Sequence, residues 1–190
     1  MNRMFEPRGY FTVPDGTEVS PFLNATDTNQ SDVPWDALGD MSIAAGRIKP
    51  GVTSWIHCHP VLVQVTYVVS GQLTVHMKGP GDASPYRRDL QKGQAVVTSP
   101  DTWFQLQNSG TVPAEVLYIV SPTYVFEMEG DKIAHDDAVL VAKSWDEPAA
   151  KQAVSATAAA AHEARARRAE AMRRLARRKG VVLPRPADGN

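Results

Sequence analysis

Residues 51–71 read GVTSWIHCHPVLVQVTYVVSG, and their spacing organises the rest of the chain. Five residues separate Gly51 from His57-Cys58-His59, four separate His59 from Gln64, and six separate Gln64 from Gly71. In an extended strand, residues i and i+2 leave the same face. His57 and His59 therefore point together, and Cys58 points away as a small buried hydrophobe. Two imidazoles on one wall suit a divalent metal. The plainer alternative is a pair of polar side chains on a solvated face.

Outward from this stretch, short apolar runs recur, each closed by a turn signal. They lie at 41–48, 61–69, 72–77, 94–98, 103–107 and 114–120, and Pro50-Gly51, Ser70-Gly71, Gly79-Pro80, Ser99-Pro100, Asn108-Ser109-Gly110 and Ser121-Pro122 follow them. The runs are rich in Val, Ile, Thr and Tyr, which predicts an antiparallel sandwich or barrel. No helical pattern separates them, which argues against a parallel α/β sheet.

A second stretch reads Gly93, six residues, Pro100, one residue, Thr102, two residues, Gln105, two residues, Asn108. The first stretch resembles the first cupin motif, G-x5-H-x-H-x4-E-x6-G, with every spacing kept and Gln64 in the glutamate position. The second resembles the second motif, G-x5-P-x-G-x2-H-x3-N, more loosely. Thr102 takes the place of its glycine, Gln105 takes the place of its histidine, and Asn108 arrives one residue early.

The resemblance implies a mainly β chain folded as a double-stranded β-helix, the cupin jelly-roll barrel. It also implies one divalent metal ion inside, with His57, His59, Gln64 and Gln105 as ligands. Fe would serve an oxygenase, and Mn, Ni, Cu or Zn would also suit these donors. Amide oxygens are weaker donors than carboxylate or imidazole. Gln64 cannot titrate, so the base role of the family's glutamate would pass to another group.

Strand alternation assigns further residues to a pocket. Thr53 and Trp55 share the parity of the histidines, Thr66 that of Gln64, and Trp103 and Gln107 that of Gln105. These five are candidate substrate contacts, and the two tryptophans would suit a flat apolar molecule; both can equally be barrel packing. Tyr67 has the opposite parity and is expected between sheets or at an interface, and His76 is expected to leave the barrel. His135 sits in 129–137, which reads as a solvated loop. Arg47 has no fixed orientation. Residues 80–88 read as a loop at the barrel mouth, with Tyr86, Arg87 and Arg88 available to close over a ligand.

The ends differ from the middle. Residues 1–40 are interrupted by Pro7, Pro14, Pro21 and Pro34 and read as an extended N-terminal arm, residues 41–147 as the barrel with a C-terminal extension, and residues 148–190 as a basic helical tail. The net charge of −1 divides into −8 over residues 1–148 and +7 over 149–190. Residues 149–179 lack Gly and Pro and are dominated by Ala and Arg, which predicts a long C-terminal α-helix. Its apolar face is thin, consisting of Val154, Ala158, Ala161, Met172 and Leu175. Glu163–Arg167 and Glu170–Arg174 have the spacing of stabilising pairs. A basic helix beside an acidic body is expected to dock on that body or on a second subunit. A free solvated helix and a nucleic-acid partner are the alternatives.

There is no 18-residue apolar run to span a membrane, and Met1–Glu6 lack the character of a secretory signal. One cysteine excludes an intrachain disulfide and an all-cysteine metal site. A cytoplasmic homodimer is expected, because small cupins resemble one another in pairing, often by exchanging an N-terminal strand. The expected activity is that of a metal-dependent enzyme on a small oxygen-chelating organic molecule, either a dioxygenase or a Lewis-acid isomerase or cyclase. The alternative is a non-catalytic small-molecule-binding or sensor protein with a weakened metal site.

Overall fold

The computed structural model describes residues 4–27, 33, 41–153 and 158–183. The elements in chain order are β1 (Phe11–Thr12), β2 (Glu18–Leu23), β3 (Ser42–Ile48), β4 (Ile56–Cys58), β5 (Val63–Ser70), β6 (Gln72–Lys78) and β7 (Tyr86–Gln91). They continue with β8 (Ala95–Thr98), β9 (Trp103–Gln107), β10 (Ala114–Ser121), β11 (Phe126–Glu129), β12 (Lys132–Asp136), β13 (Val139–Ala142), α1 (Pro148–Ala153) and α2 (Ala158–Arg178).

The central strands pair by nesting: β3 with β10, β4 with β9, β5 with β8 and β6 with β7, all antiparallel. One long hairpin is thus wound on itself, which is the jelly-roll arrangement. It yields two facing sheets, β1-β2-β3-β10-β5-β8 and β13-β4-β9-β6-β7. Between them lies a core of Ile48, Val68, Leu73, Val75, Met77, Leu90, Phe104, Leu106, Ala114 and Val116. The period-2 pattern dictates this. In β5, Gln64, Thr66 and Val68 are buried, while Val63, Tyr67 and Val69 are exposed.

Two glycines are required by geometry. Gly71 turns β5 into β6 at φ 76°, and a Cβ there would sit 2.6 Å from the Pro113 carbonyl oxygen. Gly46 in β3 leaves room for the Tyr118 ring, whose Cε2 would lie 2.3 Å from a Cβ.

Six strands match the six apolar runs, and the differences from expectation lie where the pattern is polar. The segment 80–88, expected as a loop, enters β7, an edge strand with one partner and a solvated face. Tyr86, Arg87 and Arg88 therefore lie along that edge, with Arg87 opposite His76, and do not close over the interior. The arm forms a hairpin, and β2 extends the first sheet from β3 of the same chain. Pro21 is accommodated beside a register shift at Pro21/Leu23, where a missing amide costs no ladder bond. The stretch 129–137, also expected as a loop, is mostly β12, which pairs with β11.

The tail lies against this hairpin. Ala171 and Leu175 of α2 pack on Val125, with Met172 beside them. Arg174 holds the Glu127 carboxylate with Nη2 at 2.7 Å, and Arg178 reaches its other oxygen at 3.1 Å. The Glu127 side chain is 0% exposed, and the Arg174 hydrogen bond holds its carboxyl below the usual range. Arg168 binds Asp137 at 3.0 Å and also donates to the Thr123 carbonyl. His135 donates to the same Asp137 at 2.9 Å, so it is tied into this contact and not solvated.

The split in charge thus has a docked counterpart within one chain. Glu163–Arg167 forms at 3.5 Å, whereas Arg174 turns from Glu170 to Glu127. The predicted helix at 154–157, with Val154 of its apolar face, lies outside the described residues.

Candidate ligand cavity

A cavity of about 270 Å³ opens inside the barrel. His57 and His59 contribute one wall, Gln64 of β5 and Tyr118 and Val120 of β10 another. The arm closes a third side with Val13, Asp15 and Thr17, and the segment after β10 adds Tyr124 and Asp136.

The two histidines sit side by side, their ring centroids 5.6 Å apart, each 5% exposed. His57 Nδ1 lies 2.9 Å from the Trp55 carbonyl oxygen. That acceptor places the proton on Nδ1 and leaves Nε2 with its lone pair. His59 Nδ1 is buried with no hydrogen-bond partner among the described residues. Burial, with the neighbouring His57, pushes the His59 pKa down to about 3, so this ring is neutral at ordinary pH. The Gln64 amide nitrogen donates to Thr66 Oγ1 at 3.1 Å, which turns its oxygen into an available acceptor.

Of the expected ligand positions, the structure brings His57, His59 and Gln64 together and separates Gln105 from them. His57 is paired with Phe104 across β4 and β9, whereas Gln105 is paired with His76 across β9 and β6. Cross-strand partners share a face. The sequence expectations of an inward Gln105 and an outward His76 are therefore incompatible, and the outward one holds. The Gln105 amide donates to the carbonyls of Ser54 at 2.8 Å and Lys143 at 2.9 Å, behind the sheet.

Trp103 and Gln107 follow Gln105 outward. Trp103 is buried with Ile56, Cys58, Ala142 and Ala150, and Gln107 accepts from His76 at 3.3 Å. Trp55 is 36% exposed with Lys143 over its ring, and Thr53 is exposed beside Gln107. Thr66 is buried and reaches the cavity only through Gln64. Arg47 pairs with Glu115 at 3.5 Å and stacks on Tyr10, outside the cavity.

The physical reason is a one-residue slip, which inverts every side chain of a strand. Gly93 and Asn108 are 15 positions apart, the span of the second motif. Anchoring on these two puts Asp101 at the motif's glycine and Phe104 at its histidine. Asp101 has φ 62°, the left-handed conformation that favours glycine, and so marks the register independently. Asn108 is fully buried and donates to the carbonyls of Ile48 and Val112.

Residues 46–120 match the family model described as the cupin domain. The protein carries a cupin domain. Its solved structural neighbours include Peruvianin-I, titled a cysteine peptidase from Thevetia peruviana latex, at 16% identity and TM-score 0.55, with 73% of this chain and 74% of that chain covered. The oxalate decarboxylase of Lactobacillus farciminis follows at 17% identity and TM-score 0.52, with 70% of this chain covered but only 33% of that one. At such identities these likenesses show the fold alone. No curated protein matches the sequence.

The metal implied by the cupin resemblance can be tested against the donors present. Phe104 is 0% exposed, and its ring centroid lies 4.1 Å from that of His57 and 5.4 Å from that of His59. A hydrocarbon ring thus packs on both histidines at the third-histidine position. Among the described residues no group of three His, Cys, Asp or Glu side chains is placed to hold a metal. The cupin domain's donor set is therefore incomplete, with two imidazoles and one neutral amide oxygen, and it does not fit a tightly held divalent ion.

The sequence reading weighed Asp136, with Asp137, as a cation site and preferred a solvated loop, and it missed Asp15, Tyr118 and Tyr124. Tyr124 donates to Asp136 Oδ1, and burial raises the pKa values of both. Of the three missed, only Tyr118 had a signal, since it shares the parity of Val116 and Val120 in β10. The others arrive from irregular segments whose position is set by the arm and by the β11–β12 hairpin.

Proposed function

We propose that the barrel is a small-molecule-binding or sensor module: it holds a small, mainly apolar organic molecule against His57, His59 and Gln64 without a tightly bound metal. The observation that carries this reading is Phe104, packed on both histidines where the third ligand would stand. The cavity of about 270 Å³ lies just below the usual span of drug-sized ligand sites, roughly 300–1,000 Å³, and so suits a small molecule. Elemental analysis of the purified protein tests the proposal. Less than about 0.1 metal per chain, unchanged after dialysis against Fe(II), Mn, Ni, Cu and Zn, is expected. One metal per chain, lost in His57→Ala, would overturn it.

That second outcome belongs to a metal-dependent enzyme on an oxygen-chelating substrate, either a dioxygenase or a Lewis-acid isomerase. The adjacency of two buried histidines, one held neutral, favours that reading. Cysteine-peptidase chemistry has no support, because Cys58 faces the outer layer and burial pushes its thiol pKa up to about 12.

We further propose a cytoplasmic homodimer that does not engage nucleic acid. No helix among the described residues is long and apolar enough to cross a membrane. Arg168, Arg174 and Arg178 are committed to carboxylates of their own chain, which supports the last point. Light scattering tests the dimer, and a mass of one chain would refute it.

A further inference from the structure

The cavity gathers carboxylates, with no strongly basic side chain among its described lining residues. Asp15 Oδ1 accepts two bonds from Thr17, from its amide and its hydroxyl, each at 2.8 Å. Its Oδ2 lies 3.9 Å from His57 Nδ1, beyond hydrogen-bond reach. The Nδ1 proton is already committed to the Trp55 carbonyl. Asp136 Oδ1 likewise accepts from Tyr124 and from the Ala138 amide. The Gln64 oxygen and His57 Nε2 are acceptors as well.

No Lys or Arg lies among the described residues that face the cavity. The nearby arginines Arg168 and Arg47 are paired elsewhere, with Asp137 and Glu115. Carboxylates on a largely apolar cavity, with Asp15, Asp27 and Asp136 in its lining, are costly unless a cation joins them. The Tyr118 and Tyr124 rings add faces that attract cations. His59, buried and lacking a partner for Nδ1, shows that the wall itself does not satisfy its polar groups.

We propose that the cavity recognises the ammonium group of a small primary amine with an apolar body, held by Asp15 and Asp136 and capped by the two tyrosine rings. Three N–H donors match the acceptor set, and the apolar body matches the valine, leucine and phenylalanine lining. This names the ligand class for the proposed binding function and rests on that reading.

The test is titration calorimetry on the full chain with three probes of one shape: cyclohexylmethylammonium, cyclohexylmethanol and cyclohexanecarboxylate. The ammonium is expected to bind at least tenfold more tightly than the alcohol, and the carboxylate to give no heat. Asp15→Asn is expected to weaken the ammonium at least tenfold and to narrow its advantage over the alcohol. Should that variant fail to fold, the three-probe ranking on the unaltered protein decides by itself. Alcohol or carboxylate binding as tightly as the ammonium would overturn this inference and leave the binding function standing. Heat from none of the three would overturn both.

Discussion

Placing a histidine at position 104 should complete a three-histidine donor set with His57 and His59, whereas a histidine at 105 should not. Phe104 is fully buried against His57 and His59. Phe104→His loses packing and buries ring nitrogens without partners, a cost of roughly 2–4 kcal/mol in the absence of metal. For a chain of this size each kcal/mol moves Tm by about 2–4 °C, so a fall of about 4–16 °C is expected. A metal at a hundred times its Kd returns about 2.7 kcal/mol. Adding Zn or Ni should therefore raise the variant's Tm by about 5–11 °C and leave the natural protein unmoved. Gln105→His loses the bonds to Ser54 and Lys143 and should melt lower with no response to metal. Differential scanning fluorimetry with and without metal reads all three proteins. A metal response in Gln105→His but not in Phe104→His would refute the register and the outward placement of Gln105.

Three further outcomes follow from the packing. Glu127→Gln should cost about 1–2 kcal/mol, since it weakens charge-assisted hydrogen bonds to two arginines that water still reaches. Its lowered pKa means that the Glu127 contribution is complete above the ordinary carboxylate value of 4.5 and is lost as pH falls through the folded-state value. Acid melting curves should thus be shallower in the variant, and parallel curves would contradict the docking. Gly46→Ala drives a methyl into the Tyr118 ring and should destabilise by about 1–3 kcal/mol; Tyr118→Ala in the same chain should recover part of that, which denaturant titration can read. Cys58, with its thiol pushed up to about 12, should resist a thiol-reactive dye at pH 8 until the chain unfolds, and prompt labelling of the native protein would place it elsewhere.

The barrel was legible because its information is local and repetitive. The six apolar runs carry the period of a half-buried strand, and the spacing from Gly51 to Gly71 put His57, His59 and Gln64 into one cavity. Edge strands lack that pattern. Strand β7, reading YRRDLQ, is solvated on one face, and β12, reading KIAHD, borrows its cover from α2, so neither looks like a strand in isolation. The fourth site position misled because Pro100 falls beside the place of the motif's proline. In a strand, one residue of slip exchanges Gln105 for Phe104, a carboxamide for a hydrocarbon.

Composition and spacing alone determined a mainly β chain with two inward histidines, a buried outward cysteine and a basic helix matched to an acidic body. Those properties depend on strand periodicity and net charge, which any register preserves. Only the tertiary structure decided which residues meet in the cavity. Asp15, Tyr124 and Asp136 come from the arm and from the segments beside the β11–β12 hairpin, and their arrival depends on pairings between residues about a hundred positions apart, such as Asn24 with the Tyr124 carbonyl. Such pairings follow from the global packing of both sheets, which no local pattern encodes, and they bring carboxylates and tyrosines to the cavity beside His57, His59 and Gln64.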